Sequence, residues 1–378
     1  KPTLDVRTLS IIYSSRSCGE HRSYTNWVIK RLPMKKCRPL GLLTNKYGPR
    51  TREMKIEDDT LNFTQMFREE KVTDRTENSG RIIVAGMGGS GISGDIASEM
   101  CNSPQVISWK NYGLPPWANN RDCVICVSYS GNTAETLSAA SKAIELGCKL
   151  EVITTGGKLE KLASRNNCPM TSIERGHQPR AALPLLIVPL LYKLGIPNLD
   201  DQIEEVRRLP AREEKAQEIA EKLKGRIPCI YANGIMEPVA YRWRCQIQEN
   251  AKQLAFHHEI PEMNHNEIVG LENRMWTHDN TPMSIAVVLI RDNQENEIIR
   301  RRFDATRLSV LRLHTKSYSN LKVVDVSAEG ESPLARMMSC VLLGDLVSLK
   351  LAEMNKVDPT PVEVIEDLKD ELSRLDGK

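Results

Sequence analysis

The sequence predicts an α/β protein with two doubly wound domains, each built from a parallel sheet flanked by helices. Short apolar strands alternate with helix-forming segments, and this alternation starts again near residue 227, after a charged stretch at residues 202–224. Strands that alternate with helices of this length require right-handed crossovers, which make the sheet parallel. A length of 378 residues also fits two domains.

The first cycle of strands and helices occupies a predicted N-terminal domain at residues 54–200. Residues 54–70 predict an amphipathic helix. Strands are predicted at 81–85, 106–109, 122–127 and 150–154, and helices at 92–101, 134–146 and 181–194. A glycine turn follows the first strand, and a turn rich in Ser and Thr follows the third. Residues 195–201, which include Pro197, are the predicted linker to the second half.

The second cycle occupies a predicted C-terminal domain at residues 201–378. Residues 202–224 are rich in Glu, Lys and Arg and predict a solvated helix between the two halves. Strands are predicted at 227–234, where the last residues form a tight turn, at 284–290 and at 321–326, and helices at 237–253 and 333–355. The last helix is predicted to begin with Thr360 as its N-cap and Pro361 at its first position.

Composition narrows the class of protein. Apolar residues make up 40% of the chain and charged residues 27%, as in globular proteins. No segment approaches the roughly 20 apolar residues of a membrane span, and no apolar secretory signal follows the first charges. The ten cysteines are scattered singly, which favours reduced thiols. Cys123 and Cys126 point to opposite faces of a strand, so a redox or zinc role is not expected. We therefore expect a cytoplasmic protein without a membrane partner.

The net charge of +3 is unevenly distributed. Residues 1–53 carry twelve Lys and Arg against three acidic residues, so this extension contributes +9 and the rest of the chain −6. The extension could be a nucleic-acid-binding arm, but no aromatic platform or recognition helix accompanies its charges. A disordered extension or a misplaced start is the preferred interpretation. Because the remaining chain is mildly acidic, nucleic acid is not an expected partner.

The turn at residues 128–133, Ser-Tyr-Ser-Gly-Asn-Thr, is a candidate anion site. It joins the apolar strand 122–127 to a helix, and the first amides of a helix have no partner within it. The helix dipole adds about half a positive charge there. Ser128, Ser130 and Thr133 supply small donors, and Gly131 lets a ligand approach the backbone. The turn therefore favours a phosphate dianion, although an ordinary turn with a Thr N-cap would have the same residues.

The glycine turn raises the alternative of a dinucleotide site. Gly86-x-Gly88-x-x-Gly91 matches the dinucleotide-binding fingerprint, which is weak without its context. A ribose-binding acid should follow the second strand, but that strand ends Ser-Trp-Lys-Asn at residues 108–111. Two loops of small residues at neighbouring strand ends instead indicate a compact phosphate attached to a polyol.

Five motifs together resemble a known family. Gly-Met-Gly-Gly-Ser-Gly at 86–91 and Ser-Tyr-Ser-Gly-Asn-Thr at 128–133 are typical of any sugar isomerase (SIS) domain. Pro179-Arg180, Glu-Asn-Ala-Lys at 249–252 and Asn-His-Asn-Glu at 264–267 make the resemblance specific to the bifunctional phosphoglucose/phosphomannose isomerases of archaea and some bacteria. The resemblance covers residues 54–378 and implies two SIS-type domains. Residues 1–53 lie outside it.

The resemblance implies an aldose–ketose isomerase that interconverts glucose 6-phosphate, and mannose 6-phosphate, with fructose 6-phosphate through a cis-enediolate. It assigns the catalytic base to Glu249, the group that stabilises the enediolate oxygen to Arg180, and proton transfer in ring opening to His265. In the family this histidine comes from the partner subunit, which implies a homodimer. Without the motifs, these residues would be a solvated helix glutamate, a surface arginine that caps a loop, and a loop histidine.

The resemblance also indicates which residues would bind the phosphate and which would bind the sugar. The phosphate would lie on Ser128, Ser130 and Thr133, with Gly88, Gly89 and Ser90 opposite. Thr360 and Lys369 resemble positions at the sugar end, although a helix N-cap and a surface lysine would explain them equally well. No metal or organic cofactor is expected. His257-His258-Glu259 could suggest a metal, but adjacent histidines point to opposite sides of an extended chain and no third ligand has suitable spacing.

Two other functions remain open on sequence grounds. Another SIS isomerase could act on an amino sugar or a pentose phosphate, but no glutamine-hydrolysing domain precedes the first SIS domain, and the 264–267 motif favours the hexose phosphate enzymes. A sugar-phosphate sensor that regulates transcription would carry a helix-turn-helix, and residues 1–53 show none. Such a sensor would also have no use for Glu249 together with His265.

Overall fold

Nine β-strands and twelve α-helices alternate along the described part of the chain. The computed structural model describes residues 55–68, 76, 80–101, 105–272, 284–316 and 321–376. The predicted basic extension at residues 1–53 lies outside the described residues. Residues 50–378 form one compact unit that contains both sheets. The domain boundary at residues 200 and 201 stays a prediction.

The first half builds a five-stranded parallel sheet. Its strands follow the order β2-β1-β3-β4-β5, so β1 lies between the two strands that come after it in sequence. This makes the β1/β3 boundary the point where strand order reverses, which is where ligands bind in such sheets. Its elements are α1 (Ile56–Leu61), β1 (Ile82–Ala85), α2 (Gly88–Met100), β2 (Val106–Trp109), β3 (Cys123–Ser128), α3 (Ala134–Leu146), β4 (Lys149–Thr154), α4 (Gly157–Arg165), β5 (Met170–Ser172) and α5 (Leu183–Leu194).

The second half builds a four-stranded parallel sheet with the order β7-β6-β8-β9, the same order as the first four strands of the other sheet. The predicted α/β class with two doubly wound parallel sheets is therefore confirmed. The elements of the second half are α6 (Leu199–Arg207), α7 (Glu213–Leu223), β6 (Ile227–Ala232), α8 (Glu237–Ala251), β7 (Phe256–Glu259), α9 (Glu267–Gly270), β8 (Ile285–Arg291), α10 (Glu297–Lys316), β9 (Lys322–Ser327), α11 (Pro333–Asn355) and α12 (Glu363–Asp376).

Several predicted element bounds are wrong, each for a local reason. The stretch at 202–224 is two helices, because Pro210 interrupts the chain between α6 and α7. The linker is correspondingly shorter, since α6 begins at Leu199. The predicted helix at 54–70 is only α1 followed by a 3₁₀ turn at Phe63–Met66. Five elements were not predicted at all: α4, β5, β7, α9 and α10.

Two helices near the predicted site, α2 and α12, also begin at residues that differ from the prediction. α2 begins at Gly88, four residues before the predicted start, although glycine is a poor helix former. Close packing explains why glycine occurs in this first turn, because a Cβ at Gly91 would lie 2.8 Å from the Gly86 carbonyl oxygen. α12 begins at Glu363, so Thr360 is not its N-cap. Asp358 Oδ1 instead accepts a hydrogen bond from the Thr360 amide at 2.8 Å, within the turn that precedes the helix.

The core joins both halves through buried helices. α5 and α11 are almost entirely buried, and α11 packs against α6, α7 and α8. Arg242 of α8 and Asp345 of α11 form a buried ion pair, with Nη2 to Oδ2 at 2.6 Å and Nε to Oδ1 at 3.0 Å. Cys123 and Cys126 belong to different apolar clusters on the two faces of β3, as predicted. Among the described residues, no helix combines the length and the hydropathy of a membrane span.

Candidate active site

The two predicted ligand-binding turns lie side by side. β1 and β3 pair in parallel with Ala85 opposite Cys126, so the turns that follow these strands share the carboxyl edge of the sheet. The first turn leads into α2 and the second into α3. No side chain caps the N-terminus of either helix. Two helix N-termini with uncapped amides therefore face the same edge, an arrangement that suits an anion.

The turn at residues 128–133 is held in shape by its own hydroxyl groups. Ser128 Oγ accepts a hydrogen bond from the Gly131 amide and lies 3.1 Å from Thr133 Oγ1. Ser130 Oγ accepts from the Asn132 amide at 3.2 Å. Gly131 is required here, because its φ is 63° and a Cβ would lie 1.7 Å from the Gly156 carbonyl oxygen. Thr133 occupies the N-cap position of α3 without making the side-chain cap, so the alternative of an ordinary Thr N-cap is not observed.

Gly88, Gly89 and Ser90 form the first turn of α2, beside the 128–133 turn. Ser90 is buried, and its Oγ accepts a hydrogen bond from the Tyr129 amide at 3.4 Å. A Cβ at Gly89 would lie 3.3 Å from the Pro179 carbonyl oxygen. The small residues of this turn therefore let two other segments approach: the serine turn and the segment that carries Arg180.

The segment before Arg180 is fixed by a buried carboxylate that the sequence reasoning missed. Asp59 of α1 is fully buried, accepts from the Gln178 amide at 2.8 Å, and has Oδ1 2.8 Å from His177 Nδ1. Tyr129 Oη accepts from the His177 amide at 2.9 Å. A signal was present in the sequence, because Asp59 is three residues after Ile56 and four before Phe63, on one face of the helix predicted at 54–70. An acidic residue on such a face predicts a buried partner.

Arg180 connects the two halves of the molecule. Its side chain is only 8% exposed. Nε donates to Asn250 Oδ1 at 2.8 Å, and Nη2 donates to the carbonyl oxygens of Pro359 at 2.5 Å and Thr360 at 2.9 Å. The backbone is anchored as well, since Arg242 Nη2 donates to the Arg180 carbonyl oxygen at 3.0 Å. The guanidinium is thus held in one position, and the backbone of Arg180 lies beside the first turn of α2.

Glu249 lies on the last turn of α8, next to Asn250, which binds Arg180. It is half-buried, and its carboxylate has no hydrogen-bond partner among the described residues. Burial raises the pKa of Glu249, and the charges of Arg180, Arg242, Lys252 and Lys369 oppose that rise. Burial in turn lowers the pKa of Arg180, which Glu249 opposes. A carboxylate with a raised pKa beside a fixed cation has the properties of a general base.

Lys252 is a second residue of this region that sequence reasoning did not assign. It ends α8 in the left-handed conformation, with φ of 53°. Nζ donates to the carbonyl oxygens of Glu249 at 2.5 Å and Pro361 at 2.7 Å. Lys252 and Arg180 therefore both bind the backbone of residues 359–361. The signal in the sequence was a lysine at a helix C-terminus, where carbonyl groups lack partners.

Thr360 and Lys369 lie on the C-terminal side of the same region. Thr360 contacts Arg180 through its backbone oxygen, and no hydrogen bond of its hydroxyl occurs among the described residues. Lys369 is exposed on α12 and acts on Glu249 through its charge. The structure thus brings both positions near the candidate base without giving either side chain a direct contact to it.

His265 is not brought to Glu249 or Arg180 within this chain. It ends a short 3₁₀ turn at Glu262–His265 and is exposed. Its neighbours are engaged, since Asn264 Nδ2 donates to Thr306 Oγ1 and Tyr231 Oη donates to Glu267 Oε1. The imidazole itself has no hydrogen-bond or ion-pair partner in the described part of the chain.

The adjacent histidines of β7 pair with different carboxylates. His257 Nε2 lies 3.5 Å from Glu237 Oε1, whereas His258 Nδ1 lies 3.3 Å from Glu267 Oε2. Within the described ranges, no group of three or more His, Cys, Asp or Glu side chains is arranged to hold a metal ion. At the end of β2, where a dinucleotide fold has its ribose-binding acid, Lys110 forms an ion pair with Asp95 at 2.5 Å.

Comparison with known proteins identifies the family. A family model described as the bacterial phospho-glucose isomerase C-terminal SIS domain matches residues 212–372. The C-terminal domain of glucosamine-fructose-6-phosphate aminotransferase from Francisella tularensis shares the fold, with a TM-score of 0.58 at 15% identity over 81% of this chain and 96% of that one.

Two relatives extend the similarity to nearly their full length. A bifunctional phosphoglucose/phosphomannose isomerase from Aquifex aeolicus is 35% identical over 322 residues, which cover 82% of this chain and 96% of that protein. Its counterpart from Caldicellulosiruptor bescii is 36% identical over 329 residues, which cover 80% and 93%. These matches confirm the resemblance found in the motifs: the chain is an isomerase of the bifunctional phosphoglucose/phosphomannose isomerase family.

Proposed function

We propose that the protein interconverts glucose 6-phosphate and mannose 6-phosphate with fructose 6-phosphate. The relatives named for these activities support the substrate class. The observation that carries the proposal is the position of Arg180, which lies beside the first turn of α2 and is bonded to Asn250, the neighbour of Glu249. A single substrate could then contact the phosphate turns at one end and the carboxylate at the other.

The phosphate would bind at the edge formed by the two turns. Uncapped amides of α2 and α3 and the hydroxyl groups of Ser128, Ser130 and Thr133 would donate to the dianion, while Gly88 and Gly89 leave room for it. Ser90 would line the same pocket. This arrangement needs no Lys or Arg at the phosphate, so Arg180 remains available for the sugar.

Glu249 would carry the proton between carbon atoms. In the open-chain aldose it removes the proton from C2, the C2 electrons form the double bond to C1, and the O1 oxygen takes up a proton. The cis-enediol(ate) then collapses to the ketose as Glu249 returns its proton to C1 and the proton on O2 leaves. Arg180 stabilises the negative oxygen of the intermediate, because its guanidinium is held in place before the charge develops. Thr360 and Lys369 would line the sugar end.

Ring opening would require His265 from a second copy of the chain. The imidazole is exposed and lacks a partner in the described residues, which fits a side chain that acts outside its own subunit. We therefore propose a homodimer in which each site takes His265 from its neighbour. A cytoplasmic location is also proposed, since the described cysteines are free thiols.

A coupled assay of both hexose phosphates tests this function. Glu249→Gln keeps the size of the side chain but removes the base, so turnover should fall by about 10²-fold or more, while binding of a sugar phosphate persists. Glu214→Gln, at an exposed position of α7, is the matched control and should retain full activity. Wild-type turnover in Glu249→Gln would overturn the proposal, and so would a wild-type protein that acts on neither substrate.

A further inference from the structure

α12 is an amphipathic helix whose apolar face is exposed to solvent. Every residue from 363 to 375 is exposed, and the large apolar side chains recur at the spacing of one helix face. We call these five residues the apolar stripe: Val364, Ile365, Leu368, Leu372 and Leu375. Contiguous apolar surface of this kind marks an interaction site, whereas single exposed apolar residues do not. The apolar stripe therefore indicates a docking surface.

The charge of α12 limits what its partner can be. Residues 363–376 hold six acidic and two basic residues, which gives the helix a net charge of −4. Asp367 and Glu371 lie three residues after Val364 and Leu368, so they border the apolar stripe. Two copies of α12 packed against each other would bring like charges together, which is unfavourable. A basic surface is the expected partner.

α10 has the complementary charge and spacing. Residues 297–316 hold six basic and two acidic residues, a net charge of +4. Phe303 and Val310 face the core, and the opposite side of the helix is exposed. We call its exposed residues at heptad spacing the outer face of α10: Ile298, Arg301, Ala305, Leu308 and Arg312. Arg301 also pairs with Glu297 at 2.8 Å, an exposed contact that contributes little.

Each of the two helices is attached to one part of the proposed site. α12 follows residues 359–360, whose carbonyl oxygens accept hydrogen bonds from Arg180. α10 holds the loop that carries His265, since Asn264 Nδ2 donates to Thr306 Oγ1 at 2.9 Å. A contact between α12 of one copy and α10 of another would therefore bring the histidine loop of one copy to the side of the molecule where Arg180 of the other lies.

We propose that α12 of each copy docks on the outer face of α10 of a second copy. The proposal deepens the homodimer proposed above and rests on it. A second copy is the partner because both faces belong to one chain, so a two-fold axis satisfies both α12 helices and both α10 helices at once. The apolar stripe packs between Ile298, Ala305 and Leu308, and the acidic residues of α12 face the arginines of α10.

Charge reversal on one helix at a time tests this pairing. The full chain carries either Asp367→Arg with Glu371→Arg on α12, or Arg301→Glu with Arg312→Glu on α10. Each variant alone places like charges at both contacts of its homodimer, so the dimer dissociation constant in sedimentation velocity should rise about tenfold or more. An equimolar mixture of the two variants should form hybrid dimers, because one contact of the hybrid has both charges reversed and the other is native.

An apolar substitution tests the same contact without changing charge. Leu368→Ser removes the centre of the apolar stripe and should also weaken the dimer. Leu61→Ser makes the same change on α1, where the side chain is 56% exposed against 59% for Leu368, and should leave the dimer unchanged. Circular dichroism of each variant verifies that it is folded.

Several outcomes would overturn the proposal. They are a wild-type dissociation constant in either charge-reversed variant, a mixture of the two that stays monomeric although both are folded, a Leu368→Ser dimer as stable as that of Leu61→Ser, and a wild-type chain that remains monomeric at every concentration. Failure of the proposed function would look different: the dimers would behave as stated, but the wild-type protein would turn over neither hexose phosphate.

Discussion

The hydroxyl groups of residues 128–133 are the part of the proposed phosphate site whose removal is easiest to interpret. Thr133→Ala deletes an oxygen that lies 3.1 Å from Ser128 Oγ, in a turn whose backbone is also fixed by Gly131. A hydrogen bond to a charged group is worth about 1.5–3 kcal/mol, so KM should rise about tenfold or more. Steady-state kinetics with each hexose phosphate measures this.

The control for this change lies on the same helix. Ser141→Ala removes an exposed hydroxyl of α3 that is far along the helix from the turn, and its KM should equal that of the wild type. Because the phosphate takes no part in proton transfer, kcat should change little in Thr133→Ala. An unchanged KM in Thr133→Ala would remove the phosphate from this turn.

At the residue scale, the motifs name the candidate side chains but not what holds them. Arg180 is bonded to Asn250, the neighbour of Glu249, from a position 70 residues away in the chain, and the roles of Arg180 and Glu249 stay predictions. Asp59 and Lys252, which fix the Arg180 segment and the end of α8, were not assigned. Their role depends on tertiary contacts, which a local pattern does not contain.

At the element scale, the packing of α8 against α11 positions Glu249, the proposed base. Asp345→Asn would leave the Arg242 guanidinium buried and without its counter-ion. Breaking a buried ion pair in this way typically costs about 3–5 kcal/mol, so the free energy of unfolding should fall by that amount. Arg242 also holds the Arg180 backbone, so activity should decline with stability. Urea denaturation followed by circular dichroism measures the loss.

An exposed ion pair provides the control substitution for Asp345→Asn. Arg307 and Asp325 are 2.9 Å apart, with side chains 43% and 39% exposed. Exposed pairs contribute about 0–1 kcal/mol, so Asp325→Asn should leave the unfolding midpoint almost unchanged. Equal effects of the two substitutions would mean that the Arg242–Asp345 pair does not anchor α8.

The elements themselves were predictable where their patterns are strong. The buried strands β1, β3, β6 and β8 lie close to their predicted positions, because continuous apolar runs that end at polar or glycine-containing turns have few alternatives. The strands missed, β5 and β7, are short and exposed at sheet edges, where apolar content is low. Their pairing depends on the neighbouring strand, so the local sequence carries little signal for them.

At the scale of the whole molecule, a single chain leaves the proposed site without its histidine. Glu249 and Arg180 are buried or half-buried at the junction of the two sheets, whereas His265 is exposed and makes no contact with either. The resemblance implies that the histidine acts in the partner subunit, a relation that the contacts within one chain do not contain. Only the assembly can supply that relation, because a C₂ interface gives each subunit the residues of the other.

Mixed dimers test whether His265 acts across the interface. His265→Gln and Glu249→Gln are each expected to be nearly inactive as homodimers, since one lacks the ring-opening group and the other the base. Co-expression of the two variants with different tags should restore about a quarter of wild-type activity, because half of the randomly formed dimers are hybrid and each hybrid holds one intact site. If His265 instead served its own subunit, no dimer would contain both groups in one site and the mixture would stay inactive. A mixture without recovered activity, in a preparation where both tags co-purify, would therefore reject the shared site.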